Sequence, residues 1–170
     1  MALTNNKARG DFFGSILKIE ETDNDPNART FSASTQYMGG LDLGFACPDN
    51  ITFDSAGNLW ICSDISSGAI GKGRYEPFGN NGLFVIPMKG VHAGKAVQIA
   101  SAPNEAEFTG VCFSPDETII FLSVQHPGEM TTDLRHPTSR WPDNQGPTPA
   151  VIAIGGSGLK KGAPHFVASL

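Results

Sequence analysis

Residues 49–64, DNITFDSAGNLWICSD, and residues 109–124, TGVCFSPDETIIFLSV, carry the reading of the fold. They align without a gap at an offset of sixty residues, 49 against 109. Each holds a short apolar run ending in phenylalanine (Phe53, Phe113), a four-residue turn and a second apolar run. The turns follow from their chemistry. Asp54-Ser55-Ala56-Gly57 places Asp first and Gly last, and Ser114-Pro115-Asp116-Glu117 places Pro second, where its fixed φ suits a type I turn. The second runs, residues 59–62 and 119–122, are continuously apolar, which predicts strands covered on both faces.

Working outward, further strand patterns lie at residues 14–20 and 30–38 before the first unit, at 82–88 and 96–100 after it, and at 150–154 after the second. No stretch has the periodicity of an amphipathic helix of useful length. Two antiparallel hairpins per sixty-residue repeat describe a four-stranded propeller blade, so the expected fold is all-β, a partial β-propeller. The expected layout is one β-propeller fragment over 1–170. Within it, 1–40 ends one blade, 45–103 is a full blade, 104–156 is most of another, and 157–170 is a tail. A compact β-sandwich is the structural alternative. Bare blade faces would expose apolar surface, so either a homo-oligomer or the remainder of a longer propeller is expected as partner. Three loops, at residues 39–48, 66–81 and 127–149, are long enough to suggest function.

The composition narrows the function. The chain has 170 residues, a formal charge of −5 and no block of Lys or Arg, which argues against a nucleic-acid partner. No apolar run has the length of a membrane span, and the first residues, MALTNNKARGDFFG, contain neither a signal core nor a twin arginine. As written, the chain carries no export signal. Twenty glycines and twelve prolines fall between the apolar runs and mark turns. The three cysteines, Cys47, Cys62 and Cys112, lack metal-type spacing, and Cys62 and Cys112 are expected as small buried hydrophobes within strands.

No nucleophile elbow, zinc helix or phosphate loop is present. The informative residues stand just ahead of the repeated strands: Asp49-Asn50 before the first, Glu107 before the second. In a propeller the innermost strands line the axis, so equivalent positions converge there. Carboxylates and an amide arriving at one end would offer hard oxygen ligands suited to Ca²⁺. Plainer readings exist: Asp49 as a turn cap and Glu107 as a solvated charge. Asp64 ends its strand and reads first as a turn cap. His126, in QHPGE directly after a buried strand, reads either as an acid/base or phosphate donor or as a hydrogen-bonded loop residue. Arg140 beside Trp141 reads equally as a cation for a ligand or as loop packing. Asn5-Asn6 end a strand that points toward the same axis.

At these residues the chain resembles the PhoX-type alkaline phosphatases. The matching runs come in order: ALTNN, GSILKIEE, FACPDNITFDSAGNLWICSD, NNGLFVIP, AEFTGVCFSPDETIIFLSVQHPGE, SRWPDN and PAVIAI. The resemblance implies a six-bladed propeller, a phosphomonoester substrate, a site holding iron and calcium on the axis, and a periplasmic or extracellular location. Position by position it implies that Asp49 of the PDN run and Glu107 of the AEFTG run are channel-facing calcium ligands, with Asn50 a weaker transfer. It assigns no catalytic role to the VQHPGE run.

The departures shape the expectation. The family's R-P-E-W-like motif precedes the TNN run and is absent here, as are the earlier blades with the iron ligands and the bridging cysteine. The segment between Asn6 and Gly14 is shortened. The chain is therefore expected to be the C-terminal portion of such an enzyme, inactive alone. The alternatives are a non-catalytic β-module that self-associates, and a calcium-dependent lactonase-like propeller hydrolase.

Overall fold

The structure, a computed structural model, describes residues 1–156 and Leu159; apart from Leu159, the tail expected at 157–170 lies outside the described residues. Three antiparallel sheets follow one another along the chain. The first joins β1 (Ala2–Leu3), β2 (Ser15–Glu21) and β3 (Phe31–Met38) in that order. The second is four-stranded: β4 (Pro48–Phe53), β5 (Leu59–Ser63), β6 (Gly82–Ile86) and β7 (Val97–Ser101). The third orders β8 (Glu107–Phe113), β9 (Ile119–Gln125) and β10 (Ala150–Gly155) with β9 at its centre. The fold is all-β, and no closed ring of sheets forms among the described residues. No helix among them is long and apolar enough to cross a membrane.

The strand periodicity builds two apolar layers. Between the first and second sheets, Ile16 and Tyr37 meet Phe45, Leu59, Ile61, Phe84 and Ile86. Between the second and third, Trp60, Cys62, Leu83 and Val85 meet Phe108, Ile120, Leu122 and Val124. β5 and β6 are buried at every residue because each contributes to both layers. The Trp60 indole donates from Nε1 to Asp54 Oδ2 at 3.0 Å, so the turn carboxylate satisfies the polar end of a buried ring.

Two sequence expectations are corrected here. The run at residues 119–122 is not covered on both faces: Ile120 and Leu122 are buried, whereas Phe121 is 39% exposed. Cys112 is likewise exposed rather than buried. Both residues lie on the face of the third sheet against which no further sheet packs among the described residues.

The ungapped repeat also gives way to a one-residue offset. Both turns close alike, Gly57 N donating to Asp54 O and Glu117 N to Ser114 O. Gly57 and Glu117 then share left-handed φ values of 83° and 56°. Beyond that point the second turn is longer by one residue: Asp54 N donates to Asn58 O, but Ser114 N donates to Ile119 O. Phe53 therefore pairs with Leu59, while Phe113 pairs with Ile120. A shift of one residue exchanges the two faces of a strand. The structural equivalent of Trp60 is thus Phe121, not Ile120.

The long loops are partly ordered by local bonds. The 66–81 loop contains a 3₁₀ turn, Gly73–Phe78, whose Tyr75 hydroxyl donates to Phe12 O at 2.7 Å. The 127–149 loop is tied down by Glu105, whose Oε2 accepts from Met130 N and the Thr138 hydroxyl.

Candidate functional site

The site forms where strand ends of the second and third sheets meet. β8 begins at Glu107, which pairs with Gln125 at the end of β9; His126 follows immediately. In the second sheet Pro48 pairs with Ser63, and Asp64 N donates to Cys47 O at 2.7 Å. Asp49 and Asp64 thus sit at the corresponding end of β4 and β5. Ala106 and Phe108 on either side of Glu107 enter the apolar layer, so strand alternation turns the Glu107 carboxylate away from it.

One buried amide ties the two sheets together at this end. Asn81 Oδ1 accepts from Ile65 N at 2.6 Å, and Nδ2 donates to Ile65 O at 3.0 Å and to Ala106 O at 3.1 Å. Ile65 follows Asp64 and Ala106 precedes Glu107, so Asn81 sets the spacing of the two carboxylates through their backbones.

Glu107 is the centre of the arrangement. Its side chain is 7% exposed and its Oε1 lies 3.3 Å from His126 Nε2. Its Oε2 is buried with no hydrogen-bond partner. Burial, reinforced by the charge of Asp64 and more weakly of Asp49, pushes its pKa up to about 7, with His126 opposing the rise. Asp64 is raised as well, by burial and by the charges of Asp49 and Glu129, eased by His126 and by a side-chain hydrogen bond with Glu107. Cys62, buried beneath, is pushed up to about 12 by desolvation and then by Glu107 and Asp49. His126 Nδ1 is 3.7 Å from Glu129 Oε2, and the Ser67 hydroxyl donates to the same oxygen.

Asp49 and Glu107, the two residues singled out in the sequence, therefore belong to one electrostatic neighbourhood. Sequence reasoning gives Asp64 and His126 plainer roles, yet both lie closer to the centre of it. Their signal is positional: Asp64 directly follows a strand buried throughout, and His126 follows one buried at alternate residues. Asn50 is already engaged, its Nδ2 donating to Asp49 Oδ2 at 2.6 Å and its Oδ1 accepting from Gly110 N at 2.7 Å. Gly110 sits in the strand irregularity with φ 63°, a backbone shape that favours glycine and turns its N–H toward the neighbouring sheet. Asn5 lies beside the Cys47 thiol, two residues from Asp49. Arg140 is exposed and bonds Gln145 O of its own loop, and Trp141 packs against the apolar layer.

Chemically, four carboxylates, Asp49, Asp64, Glu107 and Glu129, share one neighbourhood with a single imidazole to balance them. Buried negative charge is costly; a proton held between Glu107 and Asp64 relieves it, and a divalent cation with oxygen preference would do the same. Among the described residues, no group of three or more His, Cys, Asp or Glu side chains is drawn together tightly enough to hold a metal ion. The donors fit a cation in type and fall short of a complete cage.

The class that the fold defines is an all-β chain of antiparallel sheets. The chain belongs to the PhoX alkaline phosphatase family, whose model matches residues 1–128. It is similar in structure to a Pseudomonas fluorescens PhoX solved in complex with vanadate, a transition state analogue, with a TM-score of 0.71 and 26% identity. That similarity covers 91% of this chain and 30% of the other, so the chain spans under a third of its solved relative. No match is found among curated proteins.

Proposed function

We propose that this chain is the C-terminal portion of a PhoX-type phosphomonoesterase. Its three sheets are two to three blades' worth of a six-bladed propeller, and Asp49 and Glu107 contribute to a calcium site on the axis. The observation that carries this reading is the buried Glu107 carboxylate, which shares its electrostatic neighbourhood with Asp64 and, more weakly, with Asp49. The family match and the partial structural likeness support it.

Calcium, when bound, supplies a Lewis acid that draws charge from phosphoryl oxygens. The chain's own residues hold and orient. Glu107 and Asp49 offer oxygen ligands, Asn81 sets the spacing between the two sheets, and His126 orients the Glu107 carboxylate through Oε1. Ca²⁺ takes about six to eight oxygens, more than these side chains provide. Iron, part of the parent site, would draw its ligands from elsewhere. The isolated chain is accordingly proposed to be inactive, its catalytic partner being the remainder of the propeller. For the whole protein we propose a periplasmic or extracellular location.

The test is twofold. The purified chain, supplied with calcium and iron, is assayed on p-nitrophenyl phosphate, and its bound metal is measured before and after Asp49→Ala and Glu107→Ala. Absence of turnover with calcium lost in the variants supports the reading. Hydrolysis abolished by a chelator would overturn the proposed inactivity, and unchanged calcium would remove both residues from the ligand set.

A further inference from the structure

Entry into β6 carries the only Asn-Gly pair in the sequence, Asn81-Gly82. Packing calls for both residues. Position 81 needs a side chain that accepts and donates at once, because its oxygen takes a hydrogen from Ile65 N while its nitrogen gives one each to Ile65 O and Ala106 O. Position 82 has no room for a side chain: a Cβ there would stand 2.7 Å from both Ala100 O and Gln98 Nε2. The fold thus sets an amide side chain beside an unhindered backbone nitrogen.

That pairing is chemically labile. Without a side chain on the following residue, its backbone nitrogen can swing onto the asparagine Cγ. The N–Cγ bond forms, the Cγ–Nδ2 bond breaks, and the backbone amide hydrogen leaves with Nδ2 as ammonia. Water then opens the cyclic imide to aspartate, or to isoaspartate with the main chain routed through Cγ. Water enters and ammonia leaves, and no oxidant or other reactant is consumed.

The folded chain keeps the reacting atoms from each other. The Gly82 N–H is committed to Ser63 Oγ at 2.9 Å. The Asn81 amide is fixed by its three bonds, and the residue is 1% exposed. Reaction therefore waits for an opening that frees Asn81 from Ile65 and Ala106. Once it has happened, closing again is penalised. A carboxylate at this position has no hydrogen for Ile65 O or Ala106 O, and it buries a negative charge against two carbonyl oxygens. The isoaspartate form adds a main-chain atom immediately ahead of β6.

We propose that Asn81 is a self-modification site. Native packing blocks its deamidation, opening of this end of the second and third sheets permits it, and the product prevents the same packing from re-forming. The chain's own chemistry then makes the opening irreversible.

The experiment holds the full chain at neutral pH in plain buffer and in urea sufficient to unfold it, and locates amide-to-acid conversion by peptide mass mapping. In urea, Asn81 is expected to convert ahead of every other asparagine, and Gly82→Ala, which has no need to fold there, to slow it. In plain buffer, conversion at Asn81 is expected to be slower by about tenfold or more. A sample partly converted in urea is then returned to buffer and given a protease. The fraction that stays intact is expected to keep the amide, and the digested fraction to carry the acid. Conversion as fast in plain buffer as in urea, no lead for Asn81 over the other asparagines, or an unchanged rate in Gly82→Ala would each overturn the proposal. So would an intact fraction as rich in the acid as the digested one.

Discussion

Glu107 and His126 face each other across the end of one hairpin, Oε1 to Nε2 at 3.3 Å, and the second oxygen of Glu107 is left buried without a partner. His126 Nδ1 is likewise buried without a hydrogen bond, and this pair and the packing around it have measurable consequences.

The first is a pH dependence of stability. The folded-state pKa of Glu107 is raised to about 7 from its ordinary value, chiefly by burial. Between those values the folded chain binds a proton that the unfolded chain does not, so the contribution of this group to stability falls as pH rises. In chelator, the melting temperature of Glu107→Gln is expected to fall less than that of the wild type between acidic and neutral pH. Parallel curves for the two proteins would show that Glu107 ionises without penalty.

Asn81 offers a second test. Its side chain links Ile65 to Ala106 through buried bonds. Asn81→Ala leaves those backbone groups unsatisfied and is expected to cost about 2–4 kcal/mol in a denaturant titration. A change within about 0.5 kcal/mol, the range of ordinary surface substitutions, would deny the residue this linking role.

Packing separates two structurally equivalent aromatics. Trp60→Ala empties a buried position between the second and third sheets and is expected to destabilise by about 3–5 kcal/mol. Phe121→Ala, 39% exposed, is expected to cost well under half of that. Equal costs would contradict the one-residue offset between the repeats.

Cysteine reactivity reports burial. Cys47 and Cys62 are buried and their thiols are raised by desolvation, Cys62 to about 12, while Cys112 is exposed. Only thiolate reacts, so iodoacetamide is expected to modify Cys112 alone in the folded chain. Modification of Cys62 without unfolding would contradict the packing of β5.

Much of this architecture is legible in the residues. The repeat at 49–64 and 109–124 locates both hairpins, and the strand patterns elsewhere fall on β2, β3, β6, β7 and β10. The failures have physical causes. An ungapped alignment hides the extra residue after Glu117, because the turn closes the same way before the chain lengthens. A run such as Ile119-Ile120-Phe121-Leu122 looks the same whether one or two sheets cover it, since burial depends on neighbours remote in sequence. At the site, Asp49 and Glu107 stand out by preceding the repeated strands. Asp64 and His126 do not, because a residue after a strand reads as a cap until the packing of two sheets shows what it faces. The role of Asn81 has no local signal: its partners lie 16 and 25 residues away.

Calorimetric titration of Ca²⁺ into the chelator-treated chain, wild type against Glu107→Gln, tests most directly whether this carboxylate is a cation ligand. Expected is measurable binding to the wild type, weakened about tenfold or more in Glu107→Gln. Equal affinity in the two proteins, or no binding to either, would contradict it.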